Sequence, residues 1–200
     1  MDFPIDVLLD IFEYLDDYKQ LVNLTTSSKS ILSAIKSHNW YIPVKINKIE
    51  DIDYILNNYK FLNIDLSSCY KQITDANVEK LGNCHTLNLT NCKQITDKSV
   101  EKLGNCHTLD LRDCNQITDK SVEKLGNCHT LNLAGCHEIT DKSDEKLGNC
   151  HTLCLAYCNQ ITDKSVEKLG NCHTLYLWSC DQITDKSVNK LKENGHIVYR

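Results

Sequence analysis

The sequence contains little proline, glycine or methionine, and it has no long apolar run. Among its 200 residues are two prolines, seven glycines and one methionine. No stretch approaches the ~18 apolar residues of a membrane-spanning helix. The first residues, MDFPIDVLLDIFEYL, are acidic where a secretion signal is basic. We therefore expect no membrane partner and a location in a reducing compartment, cytoplasmic, nuclear or both.

Excess positive charge is also absent. The chain has 22 Lys and Arg against 27 Asp and Glu, which gives a formal net charge of -5. Residues 1–60 hold 6 basic and 9 acidic side chains, a balance of -3, and the remainder holds 16 and 18, a balance of -2. Neither part offers the basic surface that nucleic acid requires. The composition favours a protein partner and no nucleic acid.

Cysteine, by contrast, is abundant. Twelve cysteines in a reducing compartment indicate buried thiols or metal ligands more than disulfides. Ten of them form two sets that recur every 22 residues, a fixed period that predicts a solenoid. The first set is Cys84, Cys106, Cys128, Cys150 and Cys172, and the second is Cys92, Cys114, Cys136, Cys158 and Cys180.

One repeating unit reads C-x2-L-x-L-x2-C-x2-I-T-D-x2-V-x2-L-G-N. The L-x-L segment alternates with period two, so Leu87 and Leu89 point inward from a short strand. Asp97 is expected to cap a short helix that carries Val100 on its inner side. Gly104 is expected to end that helix in the left-handed conformation. Each unit is therefore predicted to be strand, turn, short helix and turn, which makes the fold class α/β.

The repeated pattern resembles the cysteine-containing subclass of leucine-rich repeats, with I-T-D after the second cysteine. The resemblance implies a parallel sheet on a concave face and short helices on a convex face. The units are shorter than is usual for that subclass, so we expect helices of only a turn or two. Residues 61–200 are predicted to form about six units of 22–23 residues and a final capping strand, in which Ile197 and Tyr199 take the leucine positions. Residues 43–60 would be a degenerate first repeat or linker.

The repeated cysteines and histidines have a structural interpretation. Equivalent residues on neighbouring parallel strands lie ~4.8 Å apart, so one thiol per strand does not supply the four convergent ligands of zinc. A Cys84–His85 catalytic pair would place its side chains on opposite faces. We expect buried thiols, a surface stack of histidines and no catalytic residue, metal or cofactor. A zinc site stays open as an alternative through Cys154, which makes a C-x3-C spacing with Cys158.

The units differ from one another mainly at exposed positions of the strands and strand exits. Drift at tolerant surface positions is one explanation. The alternative is a surface that binds a target protein, because exposed aromatic residues often act as binding anchors. We expect that surface to consist of Tyr157, Tyr176 and Trp178, with Asp110, Arg112 and Asp113 as a polar flank.

One unit departs from the pattern inside its helix. Asp144 stands where the other units have valine, as at Val100. A lone carboxylate buried there would cost several kcal/mol. We therefore expect Asp144 to turn outward and to fray its helix.

Residues 1–42 are predicted to form a three-helix segment. Leu8, Ile11, Phe12 and Leu15 follow Pro4 at helical spacing and make one apolar face. The segment resembles an F-box, although residues 26–31 depart from the family pattern. The matching elements are Phe3-Pro4 for the leucine-proline start, Ile11-Phe12-x-Tyr14-Leu15 for the I-F-x-Y-L core, and Trp40 for the closing tryptophan. A plain helical cap on the solenoid is the alternative.

The F-box resemblance implies a non-catalytic substrate-recognition subunit of a Skp-cullin-F-box ubiquitin ligase. Its partners would be a Skp-type adaptor, a cullin-RING ligase bound through that adaptor, and an unknown target protein, with this chain a monomer in the larger complex. The alternatives are a leucine-rich-repeat module that binds or sequesters a partner without a ligase, and a decoy that occupies the adaptor. The residues expected to bind the adaptor are Pro4, Leu8, Leu9, Ile11, Phe12, Leu15, Leu21 and Val22.

Overall fold

The structure is a computed structural model that describes residues 20, 23 and 28–200. The side chains of residues 37, 144 and 145 are not among those described. All eight residues expected to bind the Skp-type adaptor lie outside the described residues, as does most of the F-box-like segment. Those assignments remain predictions. In the described part, no helix is long and apolar enough to cross a membrane.

Eight strands form one parallel sheet in which each strand pairs with the next along the chain. In the perfect repeats the register advances by one unit per strand, so that Leu87 pairs with Leu109 and Leu109 with Leu131. The repeated L-x-L segments therefore form the predicted solenoid sheet. The strands are β1 (Asn39–Lys45), β2 (Lys60–Asp65), β3 (Thr86–Asn88), β4 (Thr108–Asp110), β5 (Thr130–Asn132), β6 (Thr152–Cys154), β7 (Thr174–Tyr176) and β8 (Ile197–Tyr199).

Short helices connect the strands, and from α3 onward each contacts the next. Most run for only a turn or two, as predicted. The helices are α1 (Lys29–Ser37), α2 (Glu50–Asn58), α3 (Asp75–Val78), α4 (Asp97–Val100), α5 (Asp119–Leu125), α6 (Asp144–Leu147), α7 (Asp163–Val166) and α8 (Asp185–Glu193). A 3-10 turn at Ser67–Cys69 follows β2.

The core runs along the inside of the sheet. Leu87 and Leu89 from one strand, and Val100 and Leu103 from the following helical segment, are all fully buried. Each short strand from β3 to β7 has a buried central residue between two half-buried ones. The period-two pattern therefore identifies correctly which side of the sheet is covered.

The repeated thiols belong to this core, and all twelve cysteines are free. Four of the second set also lie close to a carbonyl oxygen of the preceding unit. The Cys114 Sγ lies 3.2 Å from the carbonyl oxygen of Leu89, and the Cys136 Sγ lies 3.2 Å from that of Leu111. Burial raises the pKa of the Cys84 thiol to about 12. These side chains are uncharged and pack as small apolar groups.

The prediction that Asp97 caps its helix was wrong. Thr96 is the N-cap, and its hydroxyl accepts a hydrogen bond from the Lys98 amide at 3.3 Å. The Asp97 carboxylate instead accepts from the next unit, from the Thr118 amide at 2.8 Å and the Thr118 hydroxyl at 2.7 Å. The same contact recurs from unit to unit, and we call the set the aspartate ladder. Its pairs are Asp75–Thr96, Asp97–Thr118, Asp119–Thr140, Asp141–Thr162 and Asp163–Thr184.

The predicted role of Gly104 was also wrong. Gly104 is not among the residues with positive φ, which include Gly135 and Gly195. A Cβ atom at Gly104 would lie well inside 3.0 Å of the Lys124 carbonyl oxygen in the next unit. Glycine is needed there because two consecutive units approach each other closely, and not because the backbone turns left-handed.

The last strand corrects a third prediction. Val198 pairs with Leu175 and is buried, with 7% of its surface exposed. Ile197 and Tyr199 are 43% and 45% exposed. They therefore occupy the outward positions and not the leucine positions, one residue out of the predicted register.

The first strand begins at Asn39, so Trp40 lies in the sheet, where it pairs with Phe61. Trp40 is buried, with 3% of its surface exposed, and its Nε1 donates to the carbonyl oxygen of Ile35 at 2.7 Å. The tryptophan assigned to the F-box-like segment thus joins α1 to β1.

The unit that contains Asp144 has an altered helix. Helix α6 begins at Asp144, whereas the helices of the neighbouring units begin at Asp119 and Asp163. The equivalent start would be Asp141, three residues earlier. The expected outward orientation of the Asp144 side chain lies outside the described side chains and remains a prediction.

Candidate functional site

The outward positions of the strands form continuous columns across the sheet. We call two of these columns together the outer sheet face, and both are set by the register of β3 to β8. The residue that follows each inward leucine is thereby aligned with its counterparts in every unit. The first column is Asn88, Asp110, Asn132, Cys154, Tyr176 and Tyr199, and the second is Thr90, Arg112, Ala134, Ala156 and Trp178.

Three aromatic side chains meet at the C-terminal end of the outer sheet face. Tyr176 and Tyr199 stack with their ring centroids 4.8 Å apart and their planes at 8°. Trp178 is tilted against both, 5.1 Å from Tyr176 and 6.3 Å from Tyr199. Trp178 and Tyr199 are each 45% exposed. We call Tyr176, Trp178 and Tyr199 the aromatic cluster.

Two members of this cluster were predicted from the sequence and one was missed. Tyr199 was assigned inward because Ile197, Val198 and Tyr199 are all suitable for either side of a strand. The signal that sets the register is His196, which precedes its strand just as His173 precedes β7. Counting from the histidine places Tyr199 opposite Tyr176.

Tyr157 is exposed but stands apart from the aromatic cluster. It is 54% exposed, and within the described residues its ring contacts no other ring. Its backbone amide donates to the carbonyl oxygen of Trp178 at 2.9 Å, so it borders the cluster through the main chain. Its φ is 62°, in the left-handed region. A bulky side chain there costs about 1 to 2 kcal/mol.

Asp110 and Arg112 of the predicted polar flank form a close pair. The Arg112 Nε donates to both carboxylate oxygens of Asp110 at 3.1 Å, and its terminal nitrogen lies 3.0 Å from Oδ2. Asp110 thereby raises the pKa of the Arg112 guanidinium. Asp113 lies at a strand exit with φ of 59°, and its amide donates to the Ala134 carbonyl oxygen at 2.9 Å. The flank lies in the unit of β4, three strands away from β7.

In several units the side chain in the first column accepts a hydrogen bond that closes the turn after the strand. The side-chain oxygen of Asn88 accepts from the Thr90 amide at 3.0 Å, and that of Asn132 accepts from the Ala134 amide at 3.1 Å. Tyr176 has no side-chain oxygen that could accept from the residue two positions on. The aromatic residue therefore replaces a turn-stabilising contact at this position.

Beside the strands, the repeated histidines stack as predicted. Successive rings have centroids 4.5 to 4.7 Å apart and planes within 20°. Tyr41 covers one end, 5.2 Å from His85 and edge-on to it. Burial, then the neighbouring histidines, lower the pKa of His151. The stack is formed by His85, His107, His129, His151 and His173.

The C-x3-C spacing of Cys154 and Cys158 does not bring its thiols to one side of the sheet. Cys154 is half-buried on the outer sheet face, whereas Cys158 is fully buried and its Sγ lies 3.2 Å from the Leu133 carbonyl oxygen. In the described part of the chain, no three His, Cys, Asp or Glu side chains are grouped so that they could hold a metal ion.

Comparison with known proteins agrees with this geometry. Residues 85–104 and 107–126 match the family model described as Leucine Rich repeat. The fold is a leucine-rich-repeat solenoid. No curated protein matches the sequence significantly.

Solved structures share the solenoid at low sequence identity. A chain of the Rad7 and Elc1 complex in yeast superposes with a TM-score of 0.55 at 17% identity, over 82% of this chain and 55% of that one. Internalin InlF from Listeria monocytogenes superposes with a TM-score of 0.57 at 24% identity, over 86% of this chain and 56% of that one. Internalin C2 from the same organism superposes with a TM-score of 0.53 at 23% identity, over 86% of this chain and 82% of that one. The solenoid spans little more than half the length of the first two chains.

Proposed function

We propose that this chain is a non-catalytic adaptor of a Skp-cullin-F-box ubiquitin ligase, with the part of the outer sheet face from β4 to β8 holding the target protein. The observation that carries the target-binding part is the exposed aromatic cluster at the C-terminal end of that face. The ligase part rests on the resemblance of residues 1–42 to an F-box. Free thiols throughout the core fit a reducing compartment.

Two locally unfavourable features favour selection for binding over neutral sequence change at this end of the sheet. Tyr157 holds an unfavourable left-handed backbone, and Tyr176 gives up the turn contact that Asn88 and Asn132 make. Costs of this kind accumulate at functional positions, where binding and not stability selects the residue. Trp and Tyr are also the residues most enriched among binding anchors.

The proposed mechanism is proximity. The N-terminal segment would hold the adaptor while the outer sheet face holds the target, so that target lysines meet a conjugating enzyme at high effective concentration. No catalytic group in this chain is required. Within the complex the chain would act as a monomer.

An affinity pull-down with quantitative identification of co-purified proteins tests the target surface. The Tyr176→Ala, Trp178→Ala double variant should lose the target and keep the adaptor. The matched control is Asn88→Ala, Thr90→Ala, which truncates the equivalent positions in an early unit and should keep both. Retention of the target by the double variant, with unchanged thermal stability, would refute this use of the cluster.

A second variant tests the adaptor. Leu8→Ala, Phe12→Ala, Leu15→Ala should lose the Skp-type adaptor while keeping the target. If the wild type captures no adaptor, the chain is a binding or sequestering module without a ligase. If it captures the adaptor and the half-life of the target in cells does not change when the chain is removed, the chain is a decoy.

A further inference from the structure

We propose that the aromatic cluster and the part of the outer sheet face from β4 to β8 bind a proline-rich segment in the polyproline II conformation. This inference rests on the proposed function, because it names the chemical class of the target segment.

The charge of the outer sheet face is balanced. Within its two columns, Asp110 and Arg112 are the charged residues, and they pair with each other. Asp113 of the polar flank lies at a strand exit outside the columns. Arg200, which follows the cluster, pairs with Asp185. Two columns without an unpaired charge favour an uncharged partner over an acidic or basic peptide.

The polar groups of the aromatic cluster are mainly donors. Trp178 offers an indole N–H, and Tyr176 and Tyr199 offer phenol hydroxyls. Within the described residues none of these groups is hydrogen-bonded to protein. A polyproline II segment has solvated carbonyl acceptors, and its prolines have no N–H to satisfy. Aromatic rings with a few donors are the surface on which such segments dock.

The separation of the strands also matches the rise of a polyproline II helix. Neighbouring strands lie about 4.8 Å apart, so every second strand is about 9.6 Å away. One turn of polyproline II takes three residues and rises about 9.3 Å. A segment that crosses the strands can therefore place every third residue over every second strand. Tyr199 on β8 and Arg112 after β4 are separated by four strand spacings, about 19 Å. A polyproline II segment of about six residues covers that distance.

Tryptophan fluorescence gives a direct assay, because Trp178 is 45% exposed and Trp40 only 3%. The probes are a capped peptide of about nine residues built from Pro-Pro-Ala triplets, a Gly-Gly-Ala peptide of equal length, and maltohexaose. The proline peptide should shift the emission and bind about tenfold or more tightly than the glycine peptide. Tyr199→Ser should weaken its binding about tenfold or more. The Asn88→Ala, Thr90→Ala control should not.

Equal binding of the two peptides, or no binding of either, would overturn the inference, and so would a response to maltohexaose alone. Unchanged proline-peptide binding by Tyr199→Ser would do the same. These results differ from failure of the proposed function. If the proline peptide does not bind but the Tyr176→Ala, Trp178→Ala variant still loses its protein target, the target-binding role stands and only the class of segment is wrong.

Discussion

Replacing the repeated glycines by alanine tests how closely the units approach one another. The methyl group of Gly104→Ala would lie well inside 3.0 Å of the Lys124 carbonyl oxygen and 3.3 Å from its carbonyl carbon. Gly126→Ala would meet Lys146 in the same way. The colliding atoms are backbone atoms, which cannot move without moving the next unit.

Gly170 is the matched control, because a methyl group added there has no atom within 4 Å. Overpacking against a fixed neighbour costs about 1 to 3 kcal/mol. We expect Gly104→Ala to lose about 2 to 3 kcal/mol, which lowers the melting temperature by about 4 to 12 °C in a chain of this size. Gly170→Ala should instead gain about 0.4 to 1 kcal/mol, because alanine restricts the unfolded chain.

Thermal and urea unfolding, followed by circular dichroism, measure the difference between these variants. The expected order of stability is Gly170→Ala above wild type and wild type above Gly104→Ala. Equal midpoints for the two alanine variants would show that the approach between units does not constrain position 104. Loss of stability in both variants would show that alanine disfavours the turn itself.

Tyr157→Asn should stabilise the protein by about 0.5 to 1 kcal/mol, since asparagine tolerates the left-handed backbone and Asn91 already adopts it with φ of 67°. A lower urea midpoint would contradict this. Asp144→Val should raise the melting temperature, because it restores the valine of the other units; a drop would refute the assumed register. Asp141→Asn should cost about 1 to 3 kcal/mol at neutral pH, because it weakens charged hydrogen bonds to Thr162 and Ser165. Burial raises the pKa of Asp141, but these hydrogen bonds together lower it below the usual 3.8. The stabilisation is therefore complete above pH 3.8 and is lost as the pH falls through the folded-state pKa. The difference between wild type and Asp141→Asn should shrink in acid, and a constant difference would argue against the ladder.

The fold could be predicted from the sequence because the same local pattern recurs many times. The alternation at Leu87 and Leu89 and the 22-residue period specify the strand, its covered side and its partner. The stacked histidines follow from the same geometry. Residues 1–27 lack this redundancy, and their resemblance to an F-box remains a prediction.

What the sequence did not reveal depends on contacts between units. Asp97 and Thr96 are both good capping residues, and only the neighbouring Thr118 decides that the aspartate reaches outward. Gly104 looks like an ordinary helix end until the Lys124 backbone is placed against it. The pairing of Tyr199 with Tyr176 depends on a register that the run Ile-Val-Tyr leaves ambiguous.

The aspartate ladder makes the interior junctions interchangeable. Each junction uses one carboxylate on one side and a threonine with its amide on the other, so removal of residues 107–128 would join Asp97 to Thr140 through the contact it now makes with Thr118. The distance between the first helix and the aromatic end can thus be lengthened or shortened in steps of about 4.8 Å without redesign of the contacts between units. The length of the solenoid therefore changes in whole units.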